Sequence, residues 1–146
     1  MTLLMMPNAD ARRARYNREA VLNATPVRLL TMLYDRLLLD LNRAEAAQVA
    51  QDWGVASENL LHAQAIISEL TTSLNVDAWN GGEGLFALYT YASTALMGAN
   101  AHRDVARTQE CIALLEPLRQ TWHEAAESLP AQPVATNSTG NALGFG

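Results

Sequence analysis

The chain has 146 residues, 49% of them hydrophobic and 17% charged, enough for one domain with one core and too apolar for a disordered polymer. No run approaches the roughly 18 consecutive apolar residues of a membrane span, and the apolar start Met1–Met6 is too short, and followed rather than preceded by positive charge, to read as a secretory signal. A single cysteine, Cys111, allows no internal disulfide and fits a reducing cytoplasm.

Charge is unevenly placed along the chain. Residues 1–43 carry seven arginines against four acids, +3, whereas residues 44–146 carry three arginines against eleven acids, −8, which together give the net −5. An arginine-rich lead can bind nucleic acid or a membrane surface, but no recognised nucleic-acid motif accompanies it, so neither nucleic-acid binding nor membrane insertion is expected.

Four helices are predicted in chain order, over Pro26–Ala50, Val55–Leu74, Glu83–Ala101 and Asp104–Glu127. Thr25-Pro26 marks the first start, a hydroxyl able to cap free N–H groups and then a proline where no N–H is missed. Arg28 stands where a capping box would place Glu or Gln. Gly54 and Asn80-Gly81-Gly82 punctuate the next boundaries. Short loops between long helices favour antiparallel neighbours, hence an all-α, antiparallel up-down four-helix bundle over residues 26–128. Residues 129–146, rich in Pro, Ala, Gln, Ser, Thr, Asn and Gly, read as a disordered tail.

The helical period assigns faces. On the first helix Leu29, Leu30, Leu33, Tyr34, Leu37, Leu38 and Leu41 span half the wheel, while Met32 and Leu39 fall outside that arc among Arg28, Arg36 and Arg43. Read alone, Met32 and Leu39 are ordinary surface residues; with their basic border they also suit an amphipathic partner carrying acids. The second helix has a core stripe of Ala56, Leu60, Ala63, Ile67, Leu70 and Leu74, with Leu61, Ala65 and Thr72 away from it. The third has Leu85, Leu88, Tyr89, Ala92, Leu96 and Ala99, with Phe86, Thr90, Ser93 and Met97 as a second stripe. Each second stripe is either a wider core or a binding face. The fourth follows Ile112, Leu115, Leu118, Trp122, Ala125 and Leu129, and Pro117 within it should bend or break it.

Catalysis finds little support. His62, His102 and His123 are scattered, and Glu58 with His62 at i, i+4 supplies only two ligands, so neither a metal site nor a cofactor is expected. Gly81-Gly82-Glu83-Gly84 lacks a phosphate-loop lysine and a preceding strand. Cys111 has no adjacent base and reads as a small packed residue. The chain is not expected to be an enzyme, and no catalytic residue is assigned.

Four ordered segments carry a family resemblance. Tyr16 precedes Thr25-Pro26, which is followed by Leu29, Met32, Leu33, Tyr34 and Asp35. Ala63-Gln64, Ile66-Ile67, Glu69-Leu70 and Ser73-Leu74-Asn75 come next, then Leu88-Tyr89, Tyr91, Leu96 and Ala99-Asn100, and last Leu118-Arg119, Trp122 and Ala125. In this order they resemble the flagellar secretion chaperones of the FliS family. His62 and Arg36 depart from a frequent lysine and glycine, and the Trp79–Gly84 loop is particular to this chain.

The resemblance implies an export chaperone of the cytoplasm. It would bind the disordered carboxy-terminal region of flagellin, prevent premature polymerisation, and deliver its client to the export gate of the flagellar type III secretion apparatus. Residues 1–25 would form a flap that can cover the groove, anchored by Tyr16 with Val21 and Leu22. Flagellin would meet Tyr16, Leu29, Met32, Leu39, Leu61, Gln64, Ala65, Phe86 and Met97. The protein would be a monomer or weak homodimer. A self-associating helical adaptor would use the same stripes, but would leave the ordered motifs unexplained.

Overall fold

The computed structural model describes residues 11–13, 26–78 and 80–129. Four long helices build it: α1 Pro26–Val49, α2 Trp53–Ser73, α3 Gly82–Ala101 and α4 Val105–Ser128, with a short 3-10 turn at Val76–Ala78 between α2 and α3. Their ends fall within one or two residues of those the sequence predicts. Two aspartates begin helices: the Asp52 carboxylate accepts from the Val55 N–H and Asp104 from the Ala106 N–H, occupying N–H groups that a helix start leaves unpaired. The Thr25 cap and the flap residues Tyr16, Val21 and Leu22 lie outside the described residues, as does the tail beyond Leu129.

Side-chain pairings fix the topology. Asp35 near the start of α1 meets Arg119 and His123 near the end of α4, while Glu45 near the end of α1 meets Gln109 near the start of α4. The two helices are therefore antiparallel. Tyr91 on α3 likewise pairs with Glu110 on α4. Tyr34 reaches Tyr89, and Gln48 reaches the Ala99 carbonyl, so α1 and α3 run parallel across the diagonal. The helices pack in the cyclic order α1, α2, α3, α4, each against its sequence neighbours, with α4 closing on α1. This is an up-down-up-down bundle.

The core follows from the apolar stripes. Tyr34, Leu37, Leu41, Leu60, Ala63, Ile67, Tyr89, Ala92, Leu96, Ala99, Cys111 and Leu115 are all within 1% of complete burial. Burying one Leu or Ile contributes about 1.5–3 kcal/mol, so this shared interior, rather than helix propensity, holds the four helices.

Three backbone features differ from simple expectation. Helix α4 runs unbroken through Pro117; the residue is exposed, so the carbonyl it cannot serve can turn to water. Gly82 does not merely punctuate: it is the buried first residue of α3, and a Cβ there would lie 2.2 Å from the Val76 carbonyl oxygen. Gln51 and Arg103, with φ of 61° and 52°, end α1 and α3 in the left-handed region. Glycine usually fills that position, and another residue there costs about 1–2 kcal/mol.

Candidate functional site

At the end of the bundle where α1 and α3 begin and α2 and α4 finish, the interior opens into an apolar cavity of about 420 Å³. Leu29, Leu30 and Leu33 of α1, Leu70 and Leu74 of α2, Leu85 and Tyr89 of α3, and Trp122 of α4 line it. Most of these read in sequence as plain core, because a residue that lines an opening and one that fills a core share the same helical spacing. Of the described residues assigned to flagellin, Leu29 alone lies here.

The floor of the cavity is polar at one point. The Tyr34 and Tyr89 hydroxyls sit 2.7 Å apart, both buried, and the Trp122 ring meets Tyr34 edge-on at 6.2 Å between centroids. Burial raises both phenol pKa values above 10, and the bond between the two hydroxyls adds to the rise at Tyr89. Among the described residues the buried Trp122 indole N–H makes no hydrogen bond of ordinary length and angle; as a donor near Tyr34 it offsets part of that residue's rise.

The other described residues assigned to flagellin fall on two outer surfaces. Trp53 and Ser57 of α2 face Asn100 of α3 and Arg103 of the loop after it across one cavity. Leu61 and Gln64 continue that row along α2 at helical spacing. On α3, Tyr91 points to α4, so Phe86, Ser93 and Met97 lie on the opposite flank, toward α2. Leu61, Phe86 and Met97 keep 56%, 45% and 53% of their surface exposed, and Gln64 is half-buried. This α2–α3 seam is one surface, with exposed Ala65 at its α1 side. The second is the outer strip of α1, where half-buried Met32 and exposed Leu39 flank Arg36. One helix separates the two surfaces.

A polar cluster around one buried carboxylate joins α1 to α2 beside that strip. Asp40, fully buried, accepts from Arg36 Nε at 3.0 Å and meets His62 Nδ1. His62 thus partners a carboxylate of α1 rather than Glu58, a pairing that residues twenty-two apart do not advertise. At the far side, burial foremost and the neighbouring Glu110 push the Cys111 thiol up to about 11, which suits a packed residue and not a nucleophile. No group of three or more metal-ligating side chains is assembled among the described residues, and no helix there is long and apolar enough to cross a membrane.

An open apolar cavity with exposed apolar stripes alongside, on a four-helix scaffold, defines a protein-binding module. The family model described as "Flagellar protein FliS" matches residues 8–129. The flagellar secretion chaperone FliS of Bacillus subtilis (strain 168) is 32% identical over 113 residues, covering 77% of this chain and 84% of that one. Its counterpart in Escherichia coli (strain K12) is 32% identical over 119 residues, covering 79% and 88%. A solved structure described as a flagellar chaperone from bacteria matches with a TM-score of 0.65 at 20% identity, over 81% of this chain and 99% of that one, and supports the fold. The chain belongs to the FliS family of flagellar secretion chaperones, which are binding proteins rather than enzymes.

Proposed function

We propose that this chaperone binds the carboxy-terminal region of flagellin in the cytoplasm, keeps it from polymerising, and presents it to the flagellar export gate. The observation that carries this reading is the division of the apolar surface into an open cavity, the α2–α3 seam and the outer strip of α1. A folded client would dock at one patch. A disordered client must be ordered by its chaperone, and about thirty residues cost roughly 30–60 kcal/mol in backbone entropy. At about 25 cal/mol per Å² that demands on the order of 1,200–2,400 Å² of apolar burial. One cavity is too small, so the client wraps the bundle as helices laid in successive grooves. Leu29 then belongs to the cavity, Leu61, Gln64, Ala65, Phe86 and Met97 to the seam, and Met32 and Leu39 to the α1 strip. Tyr16, Val21 and Leu22 belong to a flap that yields to client.

Isothermal titration of the protein with the carboxy-terminal segment of its host's flagellin tests the reading. One-to-one binding is expected, with a heat-capacity change of about −0.5 to −1 kcal/mol per K for the area above. Absence of binding by a folded protein would overturn it. Self-association through the same stripes would then be tested by the mass in solution, 15.9 kDa for a monomer.

A further inference from the structure

The opposite end of the bundle carries a second, polar cavity of about 200 Å³, room for on the order of seven waters at about 30 Å³ each. Gln48 of α1, Trp53 and Ser57 of α2, and Asn100 of α3 line it, together with Arg103 from the loop after α3. The cavity lies at the far end of the α2–α3 seam, and no residue assigned to flagellin lines it.

Two of its groups are unmatched. Gln48 is 97% buried, since its relative exposure is 3%. Its Nε2 donates to the Ala99 carbonyl at 3.4 Å, and because a carbonyl only accepts, this fixes which end of the amide points where. The other end, Oε1, is buried and accepts no hydrogen bond among the described residues. It needs an N–H or O–H from an occupant.

Arg103 is the second. Its guanidinium carbon lies 4.9 Å from the centroid of the Trp53 ring, a cation-π contact that covers one face and leaves the edges for an anion. Arg36, Arg107 and Arg119 each pair with a carboxylate, whereas Arg103 forms no ion pair among the described residues. It also holds a left-handed backbone that glycine would take without strain.

We propose that this cavity binds a carboxylate-bearing residue of a peptide partner. The carboxylate lies along the guanidinium edge of Arg103, an amide N–H of the same residue donates to Gln48 Oε1, and Ser57 and Asn100 complete the polar wall. The combination is selective. A phosphodiester brings charge without any donor for Gln48, and water satisfies Gln48 while leaving Arg103 without a counter-charge. The carboxylate can come from an acidic side chain or from a chain terminus.

Nuclear magnetic resonance of the full chain tests this with three small probes. N-acetylaspartate N-methylamide carries a side-chain carboxylate, N-acetylglycine a terminal one, and N-acetylasparagine N-methylamide neither. Fragments of this size bind in the millimolar range. Saturable shifts are expected at the Gln48 side-chain amide, Arg103 Nε and Asn100 with one or both carboxylates, and the one that binds more tightly identifies the source. The asparagine probe should leave them unmoved. Arg103→Gln, at an exposed position, should keep the spectrum of a folded bundle and weaken binding about tenfold or more. Equal shifts with the asparagine probe, no shift with either carboxylate at tens of millimolar, or undiminished binding by Arg103→Gln would each overturn the proposal. None of these results depends on flagellin.

Discussion

The Tyr34–Tyr89 bond supports the floor of the apolar cavity, and its removal has a defined signature. Both rings are essentially fully buried and the hydroxyls sit 2.7 Å apart. Tyr89→Phe deletes one hydroxyl and strands the other, at about 1–3 kcal/mol for a buried polar group left without its partner. Tyr34→Phe should cost more within that range, because it strands the Tyr89 hydroxyl and also takes away an acceptor near the Trp122 indole N–H. Changing both tyrosines removes donor and acceptor together and leaves two rings of unchanged shape, so the double variant should lose only about 1 kcal/mol. The single losses sum to roughly 2–6 kcal/mol, which puts the interaction energy at about 1–5 kcal/mol. Urea unfolding followed by far-ultraviolet circular dichroism reads all four proteins, with equal slopes confirming that the same surface is exposed each time. If the two losses add to within about 0.5 kcal/mol, the hydroxyls do not depend on one another and the reasoning fails.

Three further outcomes are expected. Leu61→Asp and Phe86→Asp alter half-exposed positions, so each should shift stability by no more than about 1 kcal/mol while weakening binding of the flagellin segment about tenfold or more; unchanged affinity in both would remove the α2–α3 seam from the docking surface. Gly82→Ala would drive a methyl against the Val76 carbonyl and should destabilise by about 1–3 kcal/mol, read as a lowered urea midpoint; an unchanged midpoint would mean that the turn moves aside freely. Burial raises the pKa values of Cys111, Tyr34 and Tyr89. The unfolded chain therefore releases these protons first, and stability should hold below about pH 9 and fall as pH rises beyond it. The double tyrosine variant should show a shallower fall above about pH 10, and an identical fall would mean that the phenols do not cause it.

The helices were readable because each alternates a tight apolar stripe with polar residues over five or more turns, and because Asp, Pro and Gly mark the ends. Partners across the bundle were not. Tyr34 and Tyr89 each belong to a core stripe, but nothing in either stripe says that the two meet across the diagonal. Asp40 reads as one more charge on the first helix, and its burial comes from His62 closing over it from the next. Gln48 at the end of α1 looks like a polar terminus, yet it is sealed against Ala99. The cavity escaped for a different reason. Leu30, Leu70 and Leu85 satisfy the helical period equally well whether or not another side chain fills the space beyond them. By contrast, the exposure of Leu39, Leu61, Phe86 and Met97 follows directly from their positions off the main stripes.

Side-chain size explains why the bundle opens where it does. Toward the end of α1 and the start of α2 many of the buried residues are small: Ala44, Ala47 and Ala56, joined by Ala95 and Ala99 of α3 and by Thr108 and Cys111 of α4, beside Gln48, Leu60 and Leu96. Toward the other end they are large: Tyr34, Leu37, Ile67, Leu70, Leu85 and Tyr89, with Leu118 and Trp122 packed against them. Helix separation follows the side chains at the contact, so alanines allow a closer approach at one end than leucines and aromatics allow at the other. The tight end excludes everything except a small polar cavity. The wide end places large apolar side chains around a space they do not fill, next to the first residue of α1. An apolar group entering that space gains contact with walls already held in place and leaves the packed end undisturbed. Such a binder stabilises the fold by mass action, without requiring the bundle to unfold or rearrange to admit it.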